Sequence, residues 1–222
     1  MGHIRLMLIT ALLLCHMSIN AEDNVGEDEI TRNSIAVEMA LTSDDTWSVE
    51  VGYRFRLLHF LSAGVSLGYW KTYTEPNVPN GSNWYVSDED RKISNFYLRP
   101  NIMFITPKLF SIRDCIFHLY ANPGLMLNIP YAKADIDIIE PNGAVLYNDK
   151  ATNHKGKWCA FDIGCGIMFG TDDVNFSIGY QFSTIDVYGM HRDLSYKGKS
   201  FADFYPKRKC QHGAVIGISY NF

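Results

Sequence analysis

Ser195, His191 and Asp193 are the residue types of a nucleophile, a base and an orienting acid, and they fall within one short stretch. A hydroxyl becomes a useful nucleophile only when an imidazole takes its proton and a carboxylate holds that imidazole in place. Adjacent side chains in a loop seldom point at one another, so no catalytic site is expected here. Asp88, Glu89 and Asp90 are consecutive carboxylates that could hold a divalent cation. A polar loop accounts for them, and neither a metal nor a cofactor is expected. Lys207, Arg208 and Lys209 could grip phosphate oxygens through charge-assisted bonds, or could simply end a solvated loop. Cys115, Cys159, Cys165 and Cys210 show no CxxC or Cys/His metal spacing. Cys159 and Cys165 share parity on one predicted strand, so free, buried thiols are expected rather than a bridge.

These residues sit on elements whose period is two, not 3.6. From Gly213 to Phe222, Ala214, Ile216, Ile218, Tyr220 and Phe222 share one face, and Gly213, Val215, Gly217, Ser219 and Asn221 the other. Asn175 to Ser183 repeats the pattern. So do Ser34 to Leu41, Trp47 to Phe55, Ser62 to Tyr73, Phe96 to Phe104, Phe117 to Ile129 and Trp158 to Phe169. Eight segments result, each about the length that crosses a bilayer when tilted. Pro100 and Pro123 fall inside strands, where proline removes a ladder donor and marks a bulge or a displaced hydrogen bond.

The links between segments alternate in length. Residues 56–61, 106–116 and 170–173 are short links. Residues 74–95, 130–157 and 184–209 are long, and rich in Asn, Asp, Lys, Gly and Pro. The first link, 42–46, breaks the rule. A soluble sandwich has no reason to alternate in this way, whereas short turns at one end and long loops at the other suit a membrane barrel. The fold expected is therefore all-β, an eight-stranded antiparallel up-and-down transmembrane β-barrel over residues 34–222. A soluble, lipocalin-like barrel with its apolar faces inward is the rival.

Residues 1–21 carry Arg5, an apolar run from Leu6 to Leu14, and a small residue, Ala21, before an acidic stretch. That is the pattern of a cleaved secretory signal peptide, with 22–33 a short periplasmic segment. The net charge of −4 argues against nucleic acid, which demands a basic stripe. In an eight-stranded barrel the side chains just fill the lumen. Strand parity points Glu38, Glu50, Arg54, Tyr97, Arg99, Asn101, Tyr120, Asn122, Asp162 and Gln181 inward. Charges there must pair, so Arg54 and Arg99 are expected to face Glu38, Glu50 or Asp162. A structural plug is the first reading of this network and a gated ion path the second. Outward aromatics (Trp47, Tyr53, Tyr69, Phe104, Phe169, Tyr220 and Phe222) read as interfacial girdles.

The closing run, Gly213 to Phe222 with Tyr220 and a terminal Phe222, resembles the last strand of bacterial outer membrane proteins. With the signal pattern and the loop alternation, the chain resembles the small eight-stranded barrels, those like the OmpA transmembrane domain, OmpX or OmpW. The resemblance implies a Gram-negative outer membrane and recognition of the last strand by the barrel-assembly machinery. It implies contact with outer membrane lipid, and with lipopolysaccharide phosphates at Lys207 to Lys209. A structural or surface-interaction role through the long loops is the leading expectation, with surface ligands or envelope proteins as partners. A narrow channel for small solutes is a second, and a lipid-modifying enzyme a third, for which His191 or His212 would be needed.

Overall fold

The computed structural model describes residues 33–43, 45–73 and 77–222. The signal-peptide reading and nearly all of the segment 22–33 lie outside the described residues. In chain order the strands are β1 (Asn33–Thr42), β2 (Thr46–Leu58), β3 (Leu61–Thr72), β4 (Trp84–Val86), β5 (Ser94–Ile105), β6 (Phe110–Ile112) and β7 (Cys115–Asn128). They continue as β8 (Ala132–Ile139), β9 (Val145–Asn153), β10 (Cys159–Gly170), β11 (Val174–Ser183), β12 (Ser195–Tyr196), β13 (Lys199–Ser200) and β14 (Gln211–Asn221). A short helix, α1, covers Gly189–Arg192.

β1, β2, β3, β5, β7, β10, β11 and β14 form the cylinder. Every neighbouring pair is antiparallel. β10 pairs with β7 and β1 with β14, so no edge is left open. Closure removes the free edges that a lipid environment does not tolerate. The apolar residues of each strand lie outside: Val37 and Met39, Val51 and Tyr53, Val65 and Leu67, Ile216 and Ile218 are all exposed on the cylinder surface. The polar and small residues of the alternate parity lie inside. The lipocalin-like rival, with its apolar faces inward, is thereby overturned.

Aromatic rows edge the outer surface. Trp47, Tyr69 and Phe96 contact one another in sequence across β2, β3 and β5 near the long-loop end. At the other end Phe110, Phe117, Phe169 and Phe176 stack in a chain across β6, β7, β10 and β11. Tyr220 stacks on Phe222 at the same end. The described ends of the chain meet there too, where Asn33 N donates to Phe222 O at 3.0 Å.

Neither strand proline produces a bulge. Tyr97 still faces Asn128 and Ile105 still faces Tyr120, so β5 and β7 keep one register past Pro100 and Pro123. The ladder is interrupted instead, with pairing absent at Pro100 and Pro123 themselves. A proline without N–H removes a rung without changing the residue count, which a bulge would do.

The long links differ most from the sequence reading. Read as polar connections, they fold into a cap with its own apolar core. β8 and β9 form a hairpin, and β4 from the preceding long link pairs with β8 to make a three-stranded sheet. Trp84, Val86, Ile136, Ile138, Leu194 and Phe201 are buried together beneath it. Trp84 stacks on Phe201 with centroids 6.0 Å apart and meets Tyr196 edge-on at 5.1 Å. Trp70 and Tyr97, at the top of the barrel wall, belong to the same cluster, so the cap is seated on the lumen mouth.

Candidate functional site: the charged lumen and its cap

The β1–β2 register places Glu38 directly opposite Glu50. Two carboxylates facing each other across a strand pair repel, and each is answered by its own guanidinium. Arg54, also on β2 and four residues beyond Glu50 on the same inward face, pairs with Glu38. Arg99, from β5 on the far side of β3, spans the lumen. Its Nε donates to Asp162 Oδ2 at 2.7 Å, its Nη1 to Glu50 Oε1 at 3.1 Å, and its Nη2 to the Asn122 carbonyl at 2.9 Å. The Tyr97 hydroxyl donates to the second oxygen of Glu50 at 3.0 Å, and Gln181 Nε2 reaches Asp162 at 3.3 Å. Arg99 is 2% exposed and Asp162 0%. The structure therefore brings together all five charged residues expected in the lumen, drawn from β1, β2, β5 and β10.

Glycines make room for these side chains. A Cβ at Gly68 would collide with the Tyr97 ring, and one at Gly124 would sit 3.0 Å from both Arg99 Nε and Asp162 Oδ1. Wide side chains on β5 and β10 thus face bare backbone on β3 and β7. The result is a cross-braced polar layer at mid-height, filling the bore. Such a layer is costly to desolvate and pays back only when almost every partner is met.

The other predicted residues fall as follows. Tyr220 and Phe222 lie exposed on the outer face of the last strand. Lys207, Arg208 and Lys209 are exposed in the link that leads into β14, at the cap end. His191 is buried under the cap, edge-on to Tyr205 at 6.0 Å, while Asp193 and Ser195 are exposed. The three are not assembled into a relay. Burial lowers the His191 pKa to about 4, against a hydrogen bond that the imidazole donates to the Lys133 backbone carbonyl, which works the other way. His212 projects from the outer face of β14 and meets the Tyr180 hydroxyl through Nδ1, with the rings stacked 5.8 Å apart.

Asp88 pairs with Arg91, and Asp90 accepts the Asp135 backbone N–H at 2.7 Å. Those carboxylates brace the cap, and no three His, Cys, Asp or Glu side chains converge to hold a metal ion among the described residues. On the cap surface the Tyr196 hydroxyl donates to Asp149, which lowers the Asp149 carboxyl and pushes Tyr196 up to about 12.

The four cysteines among the described residues are free, but they are not buried. Cys165 and Cys210 are exposed, and Cys115 and Cys159 half-buried. Their shared outward parity on β10 puts Cys159 and Cys165 on the apolar outer face rather than in a core. Sequence reasoning also missed Arg56, placed there in a turn. β2 runs on to Leu58, and Arg56 faces Ser62 as an inward residue. Its parity with Arg54 was the available signal.

No protein-family model matches the chain, and no curated protein does. Solved structures similar to it include Neisserial surface protein A, at 13% identity over 86% of this chain and 96% of that one, with a TM-score of 0.47. A de novo designed transmembrane β-barrel is similar at 12% identity over 89% of this chain and 100% of that one, TM-score 0.45. Ail, the attachment invasion locus protein of Yersinia pestis, is similar at 10% identity over 86% and 97%, TM-score 0.41. With its closed ladder, apolar outer wall, charged lumen and folded cap, the chain is an eight-stranded antiparallel up-and-down β-barrel of the transmembrane kind.

Proposed function

We propose that this barrel sits in the outer membrane of a Gram-negative cell and presents its cap to the outside as an interaction surface. The observation that carries this reading is the cap core. Trp84, Phe201, Leu194 and Ile136 are buried to 4% exposure or less, outside the barrel wall. Loops that only joined strands would have no use for a core, whereas a surface that must hold one shape for a partner gains from it. The lumen supports the same reading, because its mid-height is closed by the Arg99 brace rather than lined as a passage. Partners would be met from outside: surface ligands, envelope proteins, or lipopolysaccharide phosphates at Lys207, Arg208 and Lys209. Assembly into the membrane would run through the last strand, ending at Tyr220 and Phe222.

The test combines two measurements on cells producing the protein. Unboiled outer membrane samples should migrate differently from boiled ones on a denaturing gel, and protease added to intact cells should cut only within residues 77–92, 130–157 or 184–209. Protein recovered wholly from the soluble periplasm would overturn the placement. Steady single-channel conductance from the purified barrel in a planar bilayer would overturn the plugged reading in favour of a channel.

A further inference from the structure

Below the braced layer, at the end that carries the short turns and the described chain ends, the lumen opens into a small recess continuous with solvent. Its polar lining is made of Arg54, Arg56, Ser34, Ser62, Asn175 and Ser219, joined by asparagines at the mouth. Met103, Ile105 and Met168 complete the wall. Among the described residues no carboxylate lines it. The two guanidiniums are in different states. Arg54 is 4% exposed and spends Nη2 on Glu38, yet its buried Nε–H has no hydrogen-bond partner. Arg56, half-buried one inward position lower, has neither an ion pair nor a hydrogen bond among the described residues.

A lumen this narrow elsewhere matches every cation to an anion: Arg54 with Glu38, Arg99 with Glu50 and Asp162. An unmatched inward guanidinium beside an orphaned N–H, ringed by Ser and Asn that can each donate, is the arrangement that holds an oxyanion. We propose that this vestibule binds a small oxyanion of the phosphate or carboxylate class, with Arg56 as the principal contact and the Arg54 Nε–H as the second.

Two sources could supply that chemistry. One is a free anion. The other is the chain itself, since Glu22, Asp23, Glu27, Asp28 and Glu29 precede Asn33, which lines the cavity mouth. The experiment titrates inorganic phosphate into the folded barrel in detergent, following backbone amide shifts of Ser34, Asn175 and Ser219. Three proteins are compared: the unaltered chain, Arg56→Gln, and a variant with those five acids changed to Asn or Gln. Each is first shown to be folded by its unboiled gel mobility, and Arg56→Lys serves as a charge-retaining control.

Saturable shifts in the unaltered chain that weaken about tenfold or more in Arg56→Gln, and are largely kept in Arg56→Lys, support the site with a free anion as occupant. Saturation only after the five acids are neutralised supports the site with the chain's own carboxylate as occupant. Absence of saturable shifts in both the unaltered and the neutralised protein overturns the proposal, as does binding untouched by Arg56→Gln.

Discussion

Arg99 and Asp162 lie 63 positions apart in the chain, yet the guanidinium Nε donates to the carboxylate at 2.7 Å across the barrel lumen, with both side chains closed off from solvent. The same guanidinium holds Glu50 through Nη1. Its removal strands two buried carboxylates. Arg99→Met should therefore lower stability by about 3–5 kcal/mol, the range for breaking a buried pair from one side. The check is urea unfolding in detergent micelles. Adding Asp162→Asn to Arg99→Met should recover part of the loss, because it removes one of the stranded charges.

The Gly68 position tests the same brace from the opposite wall. A Cβ there meets the Tyr97 ring, whose hydroxyl supports Glu50. Gly68→Val should displace that ring and lower the temperature at which the unboiled band is lost. The expected cost is about 1–3 kcal/mol, as for other overpacked sites. An unaltered transition would show that Tyr97 moves aside freely.

Cap stability should fall on acidification. The His191 pKa is lowered to about 4 by burial, against an ordinary value of about 6.5 in the unfolded chain. The unfolded state thus takes up the proton first. The contribution is fully present above about pH 6.5, shrinks as the pH drops toward 4, and is gone below it. Its size is on the order of 3 kcal/mol. Amide exchange of residues 184–205 between pH 4 and 7 should show this slope, and His191→Gln should flatten it. A slope that persists unchanged in His191→Gln would assign the titration elsewhere.

Trp84→Ala should loosen the cap and spare the barrel. Trp84 is 4% exposed between Phe201 and Tyr196, and emptying such a site costs about 3–5 kcal/mol. Protease should then cut rapidly within 77–92, 130–157 and 184–209, while the trimmed barrel keeps its unboiled mobility. Loss of both together would mean that cap and barrel fold as one unit.

The exposed thiols report the membrane level. Cys165 sits on the outer wall of β10 beside Tyr180, and Cys210 just precedes β14. In lipid vesicles a charged maleimide should label Cys210 and leave Cys165 untouched, and an apolar maleimide should reach both. Equal labelling by the charged reagent would place the outer wall in water.

The barrel was legible because its signal is local and repeated. Alternation at Ile35, Val37, Met39 and Leu41 says which face each residue takes, and a one-residue slip would invert the whole strand. That parity also put Glu38, Arg54, Arg99 and Asp162 on one side of the wall, though only the closed fold decides who meets whom. The cap was illegible for the opposite reason. Its β4 has three residues and its helix four, too short for any period to show. Its core joins Trp84, Ile136, Leu194 and Phe201 from three separate links, a meeting that no local pattern announces, although the alternation of Ala132, Ala134, Ile136 and Ile138 along β8 was there to be read. Cys165 misled because apolar parity was taken for burial, and on this wall the apolar side is the outside.

The interrupted ladder between β5 and β7 leaves the cylinder unequal around its circumference. These strands share five paired positions, whereas β7 and β10 share twelve. Where rungs are missing, a side chain stitches the gap: Arg99 on β5 donates to the Asn122 carbonyl on β7 at 2.9 Å. A tube bonded evenly all round has no preferred place to tear. This one has a seam, and the guanidinium that fastens it is the same one that braces the bore, so loosening the brace and unzipping the wall are a single event.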